Sequence, residues 1–328
     1  MTAPATRARI APRWHRPEPP DGQLVAALAD ALKLPPMVCE LLVARGHADA
    51  EEAKRFLRPR LEQLHPPGAM LGMDAAVDRL ARAITGGETI LVHGDYDVDG
   101  ICSTTIMVRV IRHLGGTAIP FLPHRLHDGY DLGDAGVKAA RDAGARVVLT
   151  CDCGTSAHDA IDALTASGID VIVSDHHLPS RPVPTCLAVL NPQQPGCAYP
   201  DKGLCAAGVA YKLAVALLAA LGGHEHVALH LLDLVALATI ADVAPLRGEN
   251  RILVRFGLKL MAETRHAGLR ALMEASGLEG KALTAGRVGF ILAPRLNAAG
   301  RVGHAMRGVE LLLATDQGEA NRIGLEWK

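Results

Sequence analysis

Aromatic side chains are scarce: four Phe, four Tyr and two Trp make up 3% of the 328 residues. So few rings exclude an extended stacking platform for nucleic-acid bases. Long apolar runs are missing too, and none approaches the ~20 residues of a membrane-spanning helix. The first 20 residues are rich in Arg and Pro and lack the apolar core of a secretory leader. Seven Cys is an odd number for so long a chain. Scattered as they are, they speak against a disulfide framework and for reduced thiols in a cytoplasmic protein. With 49% apolar and 21% charged residues, the composition excludes a disordered, collagen-like or coiled-coil chain.

Net charge is nearly absent, at −1, but it is unevenly placed. Residues 1–60 carry 10 Lys/Arg against 7 Asp/Glu, residues 61–246 carry 11 against 20, and residues 247–328 carry 13 against 8. An acidic middle between basic flanks suits a carboxylate-rich metal site beside a surface that binds polyanions. An unevenly solvated surface gives the same totals.

Helical spacing marks residues 21–33, 37–45, 48–57 and 74–84, the last capped near Asp74 and closed by Gly86-Gly87. Short apolar runs at 89–92, 118–122, 146–150, 170–173 and 188–190 then alternate with helical stretches at 101–114, 134–143 and 156–167. Strands apolar on both sides and separated by helices imply an α/β fold, a parallel sheet covered on both faces. Beyond the Pro- and Gly-punctuated loop 191–204, helices are expected at 206–221, 226–240 and 251–263. Strand–helix alternation is expected to resume at 284–292, as part of a second, smaller α/β domain after a helical connector.

Three of these strands end in metal-ligand chemistry. The first runs into His93-Gly-Asp95-Tyr-Asp97-Val-Asp99-Gly100, another into Cys151-Asp152, and a third into Asp175-His176-His177. Sites in open parallel sheets form at the carboxyl ends of strands. The D-x-D-x-D-G run also matches the opening of a calcium-binding EF-hand loop, yet Ile106 stands where that loop needs a bidentate Glu. A solvated turn capping the next helix through Asp99 is the other simple reading. Closely spaced carboxylates repel one another unless a cation holds them. Mixed carboxylate and imidazole donors favour Mn²⁺ or Mg²⁺, and Cys151 and Cys153 lack the second Cys pair of a structural zinc site. Bridging carboxylates hold two such ions ~3.5–4 Å apart, an arrangement used for in-line displacement at phosphorus.

VHGDYDVDG (92–100), CDCGTS (151–156) and SDHH (174–177) together resemble the signature motifs of the DHH phosphoesterase family, and most nearly its RecJ-type single-strand-specific exonucleases. Stretches 123–132, 190–213, 233–251 and 293–301 (APRLNAAGR) agree in the same order, so the resemblance covers about residues 40 to 320. It implies a two-metal phosphodiesterase acting 5′→3′ on single-stranded DNA in repair and recombination, with Mn²⁺ or Mg²⁺ as cofactor. By position it gives His93 and Asp97 to one ion, Asp99, His176 and Asp242 to the other, and Asp152 to both. It implies catalytic roles for His177, at the scissile phosphate, and for Asp95 and Asp175, which orient ligands. Arg125, Tyr130, Asn297 and Arg301 correspond to its substrate-gripping positions. A single-strand-binding protein or a helicase is an expected partner, and a membrane is not.

The chain departs from the family at His124 and Cys153, where Asn is usual, and at Asp131, where Gly is usual and a carboxylate adds charge near the expected DNA path. RecJ-type chains continue into an OB-fold, whereas this one ends at Lys328. The expected division is therefore a helical lead-in (1–60), a catalytic domain (61–245), and a connector with an incomplete DHH-associated domain (246–328). Two other functions are open. A hydrolase of short oligonucleotides or cyclic dinucleotides usually carries a GGGH-type motif where NAAGR stands. A non-catalytic DHH scaffold loses ligands, and here every ligand position is filled.

Overall fold

The computed structural model describes residues 18–325 except 126 and 303, with the backbone alone at 225 and 299–302. The chain divides into two compact units, meeting in sequence at Pro59 and Arg60. In the first, α1 (Gly22–Leu32), α2 (Pro36–Ala44) and α3 (Ala50–Leu57) close on a small core of Leu28, Cys39, Leu42 and Ala53. Asp21 and Asp49 cap α1 and α3, each carboxylate accepting a bond of 2.8 Å from a first-turn amide.

The second unit opens with α4 (Met73–Thr85), which starts after Gly72 without a side-chain cap. Then come β1 (Thr89–Gly94), α5 (Val98–His113), β2 (Thr117–Phe121), α6 (Asp134–Asp142) and β3 (Val147–Cys151). They are followed by α7 (His158–Ala166), β4 (Asp170–Ser174), β5 (Ala188–Leu190) and α8 (Ala206–Ala220). The five strands are parallel in the order β2-β1-β3-β4-β5. Alternation along each strand divides the core. Ile90, Val92, Val147, Leu149 and Ile172 pack with residues of α4, α5 and α8, whereas Leu91, Val148, Val171 and Val173 pack with those of α6 and α7. The sheet is thus covered on both faces, as the unbroken apolar runs require.

The remaining elements are helical: α9 (Glu225–Leu229), α10 (Leu232–Ala241), α11 (Gly248–Ala262) and α12 (Ala267–Ala275). Next come α13 (Ala285–Arg287), a π-turn (Val288–Leu292), α14 (Ala293–Val302), α15 (Met306–Leu313) and α16 (Gln317–Leu325). The strand expected at 284–292 is therefore helix. Val288, Leu292 and Leu296 recur every four residues and are all fully buried, which is a helical stripe and not a strand face. The single helix expected at 226–240 is two, because the amide of Leu231 turns back to the carbonyl of Ala228.

Candidate metal centre

The strand order reverses between β1 and β3: β2 lies beyond one, β4 beyond the other. The ladder continues past the carboxyl ends, with Asp95 N donating to Cys151 O (3.2 Å), Asp152 N to Ser174 O (3.0 Å) and Asp175 N to Leu190 O (2.9 Å). Backbone pairing thus brings three carboxylates from separate strand ends to one edge. Asp152 takes the left-handed conformation (φ 68°), unusual for a non-glycine residue and a mark of a strained site.

After β1 the chain turns straight into α5, and Asp97, not Asp99, is the cap: its Oδ1 accepts from the amides of Asp99 (2.8 Å) and Gly100 (3.1 Å). A Cβ on Gly100 would stand 2.3 Å from the carbonyl oxygen of Asp95, so the motif ends in glycine for want of space. Asp99 is freed to face inward. Its two oxygens accept from the amides of Ala206 and Ala207 at the start of α8, both at 2.7 Å.

Among the described residues, three side-chain groups bring ligand atoms within 4.8 Å of one another: Asp95, Asp97 and Asp152; Asp99, His176 and Asp242; and Asp152, His176 and His177. His176 Nε2 lies 3.2 Å from Asp152 Oδ1 and 3.7 Å from Asp99 Oδ2, and Nδ1 lies 4.0 Å from Asp242. Buried Oδ1 atoms of Asp95 and Asp152 have no hydrogen-bond partner. Orphaned buried carboxylate oxygens are costly unless something cationic meets them. Hard oxygen donors with one or two imidazoles fit Mn²⁺ or Mg²⁺.

Electrostatics agree. Burial, then repulsion from Asp97, lifts Asp95 to about 7. Burial and the surrounding carboxylates raise Asp99, Asp152 and Asp242 as well. Asp175 behaves oppositely: burial disfavours its ionised form, but hydrogen bonds from His177 and Thr155 outweigh it and hold the carboxyl at about 2. His177 Nδ1 lies 2.7 Å from Asp175 Oδ1, and that bond, against burial, lifts the imidazole to about 9. Its Nε2 faces Tyr130 Oη at 3.3 Å. The site thus holds one cationic imidazole beside a cluster of carboxylates.

His93 is not in any of the three groups. Burial pushes it down to about 4; Nδ1 lies 3.5 Å from Cys153 Sγ, while Nε2 has no partner and abuts Gly136 of α6. Asp95, expected only to orient ligands, stands with Asp97 in the group where His93 was expected. Cys153 Sγ also donates to the carbonyl oxygen of His93 (3.8 Å). Asp131 is held by the backbone. Its Oδ1 accepts from the amides of Leu132 (2.8 Å) and Gly154 (2.7 Å), and its φ of 74° explains why Gly is usual there.

Asn297 joins the centre, lining a cavity of about 410 Å³ with Asp97, Asp99, Asp242, Gly289 and Ala293. Arg125 stacks over Tyr96 at 4.9 Å, and Tyr96 lies edge-on to Tyr130, so both expected substrate residues stand beside Asp95. Arg301 lies on α14, and its side chain is outside the described residues. Sequence reasoning missed two braces. Asn191 Nδ2 donates to His177 O (2.8 Å), and Gln193 Nε2 to His176 O (2.5 Å), holding the paired histidines from the loop after β5. An Asn and a Gln directly after a buried strand were the available signal. Among the described residues, no helix is long and apolar enough to cross a membrane.

Residues 89–239 match the DHH family, N-terminal domain. The chain is 38% identical over 314 residues to the single-stranded-DNA-specific exonuclease RecJ of Bacillus subtilis, covering 96% of this chain and 39% of that protein. It is similar to the crystal structure of RecJ in complex with Mn²⁺ from Thermus thermophilus (TM-score 0.82, 36% identity, 98% of this chain, 45% of that one). It is also similar to a crystal structure of exonuclease RecJ bound to manganese (TM-score 0.74, 40% identity, 82% of this chain, 66% of that one). Against the first curated relatives, the chain spans 39% to 52% of their length. The motifs at 92–100, 151–156 and 174–177 fall within the matched domain, at one sheet edge, and the chain belongs to the DHH family.

Proposed function

We propose that this chain is a metal-dependent phosphodiesterase that removes nucleotides 5′→3′ from single-stranded DNA in repair and recombination. One observation carries the reading: Asp152, at the end of β3, meets Asp95 and Asp97 in one group and His176 in another, at the switch point of a DHH sheet. Asp95, Asp97 and Asp152, with His93 as a further donor through its unpartnered Nε2, would hold one divalent cation, and Asp99, Asp152, His176 and Asp242 the other. When bound, Mn²⁺ or Mg²⁺ supplies Lewis acidity at the phosphoryl oxygens and lowers the pKa of water.

The chain's own residues do the rest. His177, cationic through Asp175, offers Nε2 to a phosphate oxygen or to the leaving 3′-oxygen, and Tyr130 fixes where that nitrogen points. Asn191 and Gln193 hold the backbone of both histidines still. Arg125 and Arg301 supply charge to the strand, and Asn297 a polar contact from across the cavity. Residues 61–245 are assigned to catalysis and residues 246–328 to gripping the strand. We place the reaction in the cytoplasm, where a helicase or a single-strand-binding protein would present the substrate. The similarity of RecJ proteins bound to manganese supports this reading.

The test uses 5′-labelled single-stranded DNA, the matching duplex and a dinucleotide, each with Mn²⁺, for the wild type and Asp152→Ala. Release of labelled mononucleotide from the single strand alone, lost in Asp152→Ala, is expected. Cleavage of the dinucleotide only would turn the reading to a short-oligonucleotide hydrolase. Inactivity on all three substrates would point to a scaffold.

A further inference from the structure

Among the described residues most large aliphatic side chains are buried, so exceptions are informative. In the unit that begins at Arg60, the three most exposed large apolar side chains described are Phe290 (88%), Val243 (84%) and Leu178 (75%). Lone exposed apolar residues are ordinary. These three are not scattered. Leu178 follows His177, Val243 follows Asp242, and Phe290 follows Gly289, which lines the cavity with Asp242. A Cβ on Gly289 would meet Ile240 at 3.2 Å, so the π-turn bearing Phe290 packs directly on the end of α10, where Val243 projects.

The backbone departs from regularity to present two of them. Val243 adopts φ 58°, the left-handed region that β-branched residues avoid. Phe290 sits at the middle of the π-turn, with Val288 and Leu292 fully buried on either side, so the ring is held outward. Strain and a π-turn, both beside the same cavity, mark a surface shaped for a ligand.

We infer that Phe290 and Val243, with Leu178 across the centre, form an apolar rim that takes the face of an unpaired base and thereby selects single strands. The inference rests on the proposed nuclease reading. In a duplex pairing as well as stacking holds each base in place, whereas an unpaired base can leave its stack and lay a face against a ring. Phosphate contacts, from Arg125 and from the basic residues after 246, hold the strand without distinguishing the two forms. Selection needs a group that touches bases, and the rim is an apolar surface next to the metal centre that can. Ten aromatic residues cannot build a track of rings, but one base at the strand end needs only one.

The test compares a labelled oligothymidylate with an abasic strand of equal length and charge, measuring binding by anisotropy without metal and cleavage with Mn²⁺. The wild type is expected to bind the base-bearing strand about tenfold more tightly, within the range for one base–aromatic stack. In Phe290→Ala that ratio falls towards one, and a 2-aminopurine at the 5′ end loses its quenching. Val243→Asn, which suits the left-handed backbone, is expected to raise the melting temperature by about 2 °C while also lowering the ratio. Equal affinity of the wild type for both strands, or an unchanged ratio in Phe290→Ala, overturns the inference. Base-dependent binding without cleavage would leave the rim standing and remove the nuclease; cleavage without base dependence would do the reverse.

Discussion

The two edges of the sheet hold carboxylates in opposite circumstances. At the amino edge, Arg79 of α4 donates through Nη2 to Glu88 (2.6 Å), just before β1, and through Nε to Asp170 (2.5 Å), at the start of β4. Both carboxylates are answered by the one guanidinium, and Arg79 can be buried because it has two partners. At the carboxyl edge Asp95, Asp99, Asp152 and Asp175 are also buried, but Asp152 and Asp175 face only imidazoles, and Oδ1 of Asp95 has no hydrogen-bond partner. The same residue type thus serves as a finished brace at one edge and as an open ligand set at the other. A second finished brace, Lys212 with Glu249 deep under α8, makes the same contrast away from the sheet.

Three measurements bear on the comparison. The largest effect is expected from the metal. In the metal-free protein the raised carboxyls, Asp95 at about 7 among them, bind protons that the unfolded chain releases near pH ~4, so stability falls as pH rises through that range. His177, raised to about 9, extends the loss from pH ~6.5 upward. His93, lowered to about 4, opposes it only below about pH 6.5. Melting temperature without metal should therefore drop between about pH 6.5 and 8.5. Mn²⁺ at ~100 times its Kd should raise it by about 10 °C at pH ~8, since each of the two filled sites contributes ~2.7 kcal/mol. A metal-free curve flat in pH would erase the difference between the edges.

Next comes Arg79→Ala. It leaves Glu88 and Asp170 unanswered at half-exposed positions and should cost about 2 kcal/mol in denaturant unfolding. The Mn²⁺ response should be unchanged, and a shift in it would show that the edges are coupled. The smallest effect is expected for Asp131→Gly, where two hydrogen bonds are lost but the φ of 74° is relieved. A change within about 1 kcal/mol is expected. A loss of several kcal/mol would make Asp131 part of the centre's frame.

Much of this was legible before the fold. The five strands and the helices between them follow from runs such as 146–150 and 170–173, apolar on both faces and bounded by Gly and Asp. The helical stretch at 284–292 was harder, because a short apolar run satisfies either period until its buried neighbours are known. At the site, Asp152 and His176 followed from their place after strands. Asp242 did not: it ends a helix 90 residues later than Asp152, and only the packing of α10 against α5 brings it to His176. His93 followed from its strand end, and its buried Nε2 has no hydrogen-bond partner.

The sequence by itself determined the class of fold and the chemistry of the strand ends, because alternation, caps and ligand types are local properties. Only the tertiary structure decided which donors meet. It set Asp152 beside Asp95 and Asp97, brought Asp242 to His176, and turned Asp131 to brace the amide of Gly154. Those outcomes depend on contacts between residues far apart in the chain, and no local pattern encodes them.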